Sequence, residues 1–452
     1  MDYAQQLAQF GLSVEWSKLS DDLKARARDR LLDALSTSAG SFAVDVAPWR
    51  SAVTAFIGES DTEATGPATV VGYRNGFEPE RAAFVNAVGV HSLLYEDISL
   101  SSSDHPGAVI CPAALAAAEA IDAPMSEMLA AIVVGYETQL VLGALARQTN
   151  ARGFRTTSVF GVVGAAAVGA YLHHLPVDQY AAALAFSANA AAGLMEAWAH
   201  GTFEPFLHAG AAASLGLFAV RLAQAGAAAA PTSFSGPNGY FAAYAGVPDA
   251  QISTPGETWR ILDISCKPYP ISGAKTTSVD SAIALLRGGV LPEQIESVEA
   301  WLPANAVESA GGDRPGPYDN VIQAQDSAQF CIAAALCGRP MDELTTFFGG
   351  FADDDIENLT HRMTLIPEQG RALGKIRVQL YDGSTHESEV DQRGNQVPTL
   401  DSMSRKLRTL ADGVWSPQTA TAIVDRICGE GNEDVSTLSA LLRDIVKSRQ
   451  DG

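Results

Sequence analysis

"GVVGAAAVGA", residues 161–170, decides how the first half of the chain must fold. The stretch is apolar throughout, and Gly161, Ala165 and Gly169 recur at four-residue spacing. Residues four apart lie on one face of a helix, so this helix has a face with almost no side chain. Glycine is a poor helix former, and such a segment is stable only where a neighbouring backbone packs directly against it. The expectation is a wholly buried helix at the centre of a helical bundle.

Working outward, apolar residues at three- and four-residue spacing predict helices near 80–94, 112–122, 125–148, 157–173, 177–192 and 207–225. Upstream, "WSKLSDDLKARARDRLLDALSTSAG" (16–40) reads as a helix with Ser20 as N-cap, closing on Gly40. "ATVVGYRNG" (68–76) reads as a strand ending in an Asn-Gly turn. The texture changes after residue 266. "IESVEAWLP" (295–303), "HRMTLIPE" (361–368) and "GKIRVQLYDGSTHESEV" (374–390) alternate as strands do, the last pair joined at Asp382-Gly383. Two helices, 278–289 and 327–338, lie among them, and helical periodicity returns at 400–415 and 435–450. The predicted class is α+β. A large all-helical domain is built from 1–265 with 399–452, and a smaller α+β domain from 266–398.

The chain has 452 residues, with 52 acidic against 30 basic side chains and a net charge of -22. Nucleic acid and anionic membrane both require a basic face, so neither is expected as a partner. An anionic substrate would need a local basic pocket, which makes individual Arg and Lys residues informative. The five cysteines are scattered without metal-ligand spacing and read as reduced thiols of a cytoplasmic protein. The N-terminal residues lack a secretory signal, and apolar runs such as 128–135 are too short to span a bilayer. No phosphate loop, dinucleotide fingerprint or nucleophile elbow occurs. The expectation is chemistry done by side chains, with no cofactor and no metal.

Candidate chemistry begins at "SSSDHPGAVICPAALAAAEA" (101–120), which follows the acidic pair Glu96-Asp97. His105 precedes Pro106, which favours an extended backbone. Pro112 suits the first turn of the helix that follows. A neutral His105, oriented by Asp97 or Asp104 at a helix N-terminus, would be a competent base near pH 7. In "ARGFRTTSVFGVVG" (151–164), Arg152, Arg155 and Thr156 at a helix start would suit a carboxylate. Lys267 in "CKPYPISGAK" (266–275) sits at the domain boundary with Lys275 nearby, and clefts between domains commonly take small ligands. His208, in a close-packed Gly/Ala helix, reads first as structural. Tyr136 and Tyr318 are weaker candidates.

The order "NAVGVHSLLYEDI … HPGAVICPAALAAAEA … GYE … ARGFRTTSVFGVVGAAAVGAYL … FEPFLHAGAAASLGLFAVRLAQAG … GPNGYFAAYAG … CKPYP … DSAQFCIAAAL … RGNQVP" resembles the MmgE/PrpD family from end to end. That family includes 2-methylcitrate dehydratase, cis-aconitate decarboxylase and iminodisuccinate epimerase. The resemblance implies a helical domain closed by the C-terminal helices, an α+β lid, a homodimer, and a small polycarboxylate substrate handled without metal or cofactor. It also implies catalytic roles for Asp97, His105 and Lys267. Two positions depart from the usual pattern: Gly153-Phe154-Arg155 stands where Gly-Phe-His is common, and Pro205 where a lysine is common. Lys275-Thr276 lies near the place where a histidine is common.

Loss of a histidine and a lysine weakens the acid half of an elimination or decarboxylation, whereas epimerisation only removes and returns one α-proton. The leading expectation is therefore an epimerase of iminodisuccinate type, with His105 as first base, oriented by Asp97. Lys267, Tyr136 or Tyr318 would serve the opposite face. Arg152, Arg155, Thr156, Lys275 and His208 would bind carboxylates, the cations also stabilising an enolate-like intermediate. A lyase of the same family is the alternative, and a non-catalytic polycarboxylate-binding member the third reading.

Overall fold

The computed structural model describes residues 2–58, 65–349, 351–391, 397–430 and 432–446. The chain is α+β and forms two compact units. One comprises 1–195, 204–264 and 398–452; the other comprises 196–203 and 265–397. Residues 196–203 are a piece of the second unit that helical periodicity does not reveal. They carry the short helix Ala197–His200, whose carbonyls accept from Arg314 Nη2 (to Ala199, 2.8 Å) and Gln323 Nε2 (to His200, 3.3 Å).

The first unit is a helical bundle whose middle helices are Pro79–Ser92, Pro106–Ile121, Met125–Val141, Thr156–Leu172 and Glu204–Gln224. Sixteen of the seventeen residues of Thr156–Leu172 are buried, all but Tyr171. Its small face does what the sequence suggests. A Cβ on Gly161 would lie 3.0 Å from Val109 Cγ2, and one on Gly169 would lie 3.0 Å from Val220 Cγ2. From the facing side, a Cβ on Gly216 would meet Ala165 Cβ at 2.5 Å. The absent side chains are what let these helices touch. Two helical stretches, Met125–Ala151 and Glu204–Gln224, are long and apolar enough to span a bilayer. Yet 89% and 56% of their most apolar windows are buried inside the protein, which marks them as core helices.

Several boundaries differ from the sequence reading: the stretch 68–76 holds the end of one short strand pair, Ala68–Thr69 with Gly76–Phe77, and the last helix stops at Arg443. Ser20 does cap its helix, accepting from Leu23 N, but the helix runs past Gly40 to Ala43. The helix expected at 112 starts at Pro106, with Pro112 inside it. Pro106 supplies the fixed φ of a first helical residue, and burial on every side holds the helix together across the hydrogen bond that Pro112 cannot donate. The C-terminal helices Leu400–Leu410, Pro417–Cys428 and Val435–Arg443 belong to this unit. Lys406 forms a buried ion pair with Asp33 at 2.7 Å, and Ser439 donates to the buried Glu119 at 2.5 Å. Residues 447–450 of the expected last helix, and 393–396, lie outside the described residues.

The second unit has a four-stranded sheet in the order Met363–Glu368, Ile295–Pro303, Lys375–Leu380, Thr385–Glu389. Ile295–Pro303 pairs parallel with Met363–Glu368 (Val298 opposite Met363) and antiparallel with Lys375–Leu380 (Val298 opposite Val378). The last two strands form the hairpin that turns through Gly383. Val298, Ala300 and Leu302 alternate into the core against Val279, Phe330 and Ile332. Ile295 joins that face out of step because the register shifts between Ile295 and Ser297.

Candidate active site

In the helical unit, chain geometry brings three polar side chains to one point. Helix Pro79–Ser92 carries His91 in its last turn. Leu94 then adopts φ +53° and turns the chain into the extended pair Asp97–Ile98. Ser99 and Asp104 close the next loop through reciprocal backbone bonds of 2.8 and 3.3 Å. The loop delivers His105 as N-cap residue of helix Pro106–Ile121, with φ -119° and ψ 75°.

His91, Glu96 and His105 are all buried. Glu96 Oε1 lies 3.0 Å from His91 Nδ1 and 2.8 Å from His105 Nδ1. His105 Nδ1 also lies 3.0 Å from the Asp97 carbonyl oxygen. A carbonyl oxygen only accepts, so His105 Nδ1 carries the proton and Nε2 is the basic nitrogen. On the far side of His91, Arg155 Nη2 lies 2.8 Å from Nε2. The two imidazoles are tilted 51° with centroids 4.9 Å apart, and Phe206 packs edge-on against His91. Burial drives the His91 pKa down to about 3; Glu96 opposes this, and His105 and Arg155 add to it.

Asp97, the expected orienting carboxylate, has another task. Its Oδ1 accepts from Gly107 N at 3.0 Å and its Oδ2 from Tyr136 Oη at 2.5 Å, with Arg30 Nη1 at 3.5 Å. Burial pushes its carboxyl up to about 6 against the pull of Arg30. Asp97 thus caps helix Pro106–Ile121 in place of the N-cap side chain and fixes where that helix begins. The side chain that orients His105 is its neighbour Glu96. The glycine of His-Pro-Gly is explained here too: a Cβ on Gly107 would sit 2.7 Å from Asp97 Oδ1 and 2.8 Å from Tyr136 Oη.

The other expected residues sort as follows. Tyr136 is fully buried and donates to Asp97, and its pKa is raised well above the ordinary value, first by burial and then by Asp97. It is a scaffold group and not a second base. Asp104 accepts from Gln139 Nε2 at 2.7 Å, does not orient His105 by its carboxylate, and is pushed up to about 7 by burial. Thr156 Oγ1 donates to the Ser103 carbonyl at 3.2 Å. His208 is half-buried and packs under Gly193, whose added Cβ would lie 3.1 Å from Nδ1. Burial, then Arg155, lowers its pKa to about 4. Arg152 is exposed at the end of helix Ala146–Ala151.

Lys267 is buried in the second unit. In the same unit Lys275, 1% exposed, donates to Asp326 at 2.7 Å and to Ser272 at 3.2 Å. Its ammonium is thus balanced by a buried carboxylate, the usual condition for burying a charge, and the expected substrate contact gives way to a structural ion pair. Tyr318 donates to the Arg314 carbonyl at 2.9 Å and stands edge-on to Phe330. Burial raises its pKa to about 12.

Sequence reasoning missed His91 and the role of Glu96. The signal was present: a histidine inside the apolar run "NAVGVHSLL", five residues before an acidic pair. His91, Glu96 and His105 together are also the donor types of a metal site, with ligand atoms within 4.8 Å of one another. They do not suit one. A guanidinium 2.8 Å from His91 Nε2 repels a cation, and both Nδ1 atoms already face the carboxylate.

The chain belongs to the MmgE/PrpD family: the MmgE/PrpD N-terminal domain matches residues 5–253 and the C-terminal domain residues 269–429. It is similar to a cis-aconitate decarboxylase-like protein of Aspergillus oryzae, at 26% identity over 94% of each chain. It is similar also to the cis-aconitate decarboxylase of Aspergillus terreus, at 25% identity over 85% of this chain and 86% of the relative. With human cis-aconitate decarboxylase it shares 26% identity over 81% of this chain and 79% of the relative.

Proposed function

We propose that the protein is a lyase of cis-aconitate decarboxylase type, acting on a small polycarboxylate without a cofactor. The observation that carries the reading is the Glu96–His105 pair at a helix start, a proton carrier with a carboxylate behind it. Support also comes from collinear likeness over nearly the whole chain to proteins bearing the decarboxylase name. Decarboxylation replaces a carbon–carboxylate bond by a carbon–hydrogen bond: the electron pair left by carbon dioxide takes up one proton. His105 is suited to deliver it. Proton uptake at Nε2 makes an imidazolium whose Nδ1–H is held by Glu96, and transfer to carbon restores the neutral ring. Helix Pro106–Ile121 begins at the same place and favours anions there.

Epimerisation, which the sequence favours through Arg155, loses its lead. In the structure Arg155 is engaged by His91, and the relatives carry lyase names. The further expectations of a cytoplasmic homodimer, with no nucleic-acid or membrane partner, remain part of the proposal.

Proton NMR in deuterium oxide with cis-aconitate, 2-methylcitrate and iminodisuccinate, each separately, tests the reading. Loss of cis-aconitate with carbon dioxide release and one deuterium in the product supports it. Water loss from 2-methylcitrate alone makes the protein a dehydratase. Exchange of the iminodisuccinate α-proton without a vinyl signal returns it to epimerases.

A further inference from the structure

Two imidazoles share one carboxylate at this site, and only one of them is exposed enough to meet a substrate: His91 is 0% exposed and His105 7%. Glu96 carries a single negative charge with which to stabilise an imidazolium. Something has to decide which ring it serves. Arg155 stands on the side of His91 away from Glu96, with Nη2 2.8 Å from His91 Nε2. A guanidinium is always protonated and only donates. His91 Nε2 therefore accepts, its Nδ1 carries the hydrogen, and that hydrogen points to Glu96 at 3.0 Å. With both its nitrogens committed, His91 has no position for a second proton.

We infer that Arg155 is a positioning residue that holds His91 as its neutral Nδ1–H tautomer and thereby reserves the charge of Glu96 for His105. The inference rests on the reading of His105 as the proton carrier and adds the device that keeps its partner silent. It replaces the expectation that Arg155 grips a substrate carboxylate. Among the described residues, the ionisable groups around the pair include Glu96 between the rings, Arg155 beyond His91, and Asp104 and His208, both within the field of Arg155. Asp97, the residue after Glu96, is in the field of Arg30 and Asp33, and Glu204 acts on His208.

The first test needs no substrate. Long-range nitrogen–proton NMR of the whole protein, labelled with ¹⁵N-histidine, reports the tautomer of each ring. His91 is expected as Nδ1–H with a bare Nε2; a proton on Nε2 overturns the inference. In Arg155→Met, Nε2 of His91 is expected to gain a proton. Removal of a positive charge also means that the histidine pair takes its first proton at higher pH, so the histidine-dependent limb of kcat against pH moves up by about 0.5–1 unit. With the Glu96 charge divided, kcat is expected to fall about tenfold or more while KM changes less than about threefold. Arg155→Lys, which keeps the charge, restores the limb. A rise in KM of tenfold or more with kcat preserved makes Arg155 a substrate ligand and overturns the inference. A loss of activity with an unmoved limb and unchanged tautomer leaves only a structural role, and overturns it too. His105→Gln, assayed beside these, separates the two ideas. Near-normal turnover there sinks the proton-carrier reading, whereas collapse there with an unmoved limb in Arg155→Met sinks the Arg155 device alone.

Discussion

Glu96 and Asp97 are neighbours in sequence, equally buried and identical in formal charge, yet they belong to different machines. Glu96 turns to two imidazoles and Arg155 lies beyond; Asp97 turns to a helix N-terminus, a tyrosine hydroxyl and Arg30. The first set holds His105, the imidazole with a basic nitrogen to spare, and a second imidazole silenced by a guanidinium. The second consists of donors that hold their protons. A carboxylate becomes a working group or a piece of scaffold according to what it is hydrogen-bonded to, and burial alone does not distinguish the two.

The contrast breaks most sharply at His105. His105→Gln should lower kcat by about a hundredfold or more, the scale of one general acid or base, with the urea midpoint unchanged. Next, Glu96→Gln removes the charge behind the imidazole and should reduce kcat by about tenfold to a hundredfold while the protein stays folded. The Asp97 side should behave in the opposite way. Gly107→Ala forces a methyl group against Asp97 and Tyr136 and should cost roughly 1–3 kcal/mol, read as a lower urea midpoint. Tyr136→Phe leaves one oxygen of Asp97 short of its donor and should cost about 1–3 kcal/mol; because the hydroxyl holds the scaffold, kcat per folded molecule should stay within about threefold.

The smallest effect concerns pH. Burial raises Asp104 to about 7 and Asp97 to about 6 in the folded chain, against about 3.9 when unfolded. Between those values the folded state holds protons that the unfolded state has released, so the contribution of these two groups to stability is full below about pH 4 and is lost as pH rises toward 7. Asp104→Asn removes one such proton and should flatten that fall. Urea titrations at pH 5 and 7 check it; an equal fall in variant and parent would contradict the assignment.

Much of this architecture is legible without coordinates, because it rests on local periodicity. The small face of Gly161, Ala165 and Gly169 does require direct backbone contact, and the Asp382-Gly383 turn does close a hairpin. Other features depend on partners far away in sequence. Nothing in the texture of residues 196–203 shows that two of their carbonyls accept from Arg314 and Gln323. His105 is visible through its proline and glycine. Which of Glu96 and Asp97 faces it is decided by the turn at Leu94, where a non-glycine residue takes a left-handed conformation that its side chain does not advertise. Lys275 and Tyr136 looked reactive as residue types, and each is neutralised by a carboxylate 51 or 39 residues away.

The C-terminal helices have a consequence for how the protein is made. Lys406 donates to the carbonyl of Tyr95, the residue before Glu96, and Arg443 and Ser439 join the Thr69–Glu119 network. A ribosome delivers these side chains after residues 265–397. While residues 265–397 emerge, their unit can collapse on its own contacts. The contacts of Lys406, Ser439 and Arg443 with the bundle around His91 and His105 can form only once the segment after residue 397 has been made. Synthesis therefore supplies every segment of the later-made unit, 196–203 and 265–397, before it supplies the last of the segments that the earlier-made unit draws on.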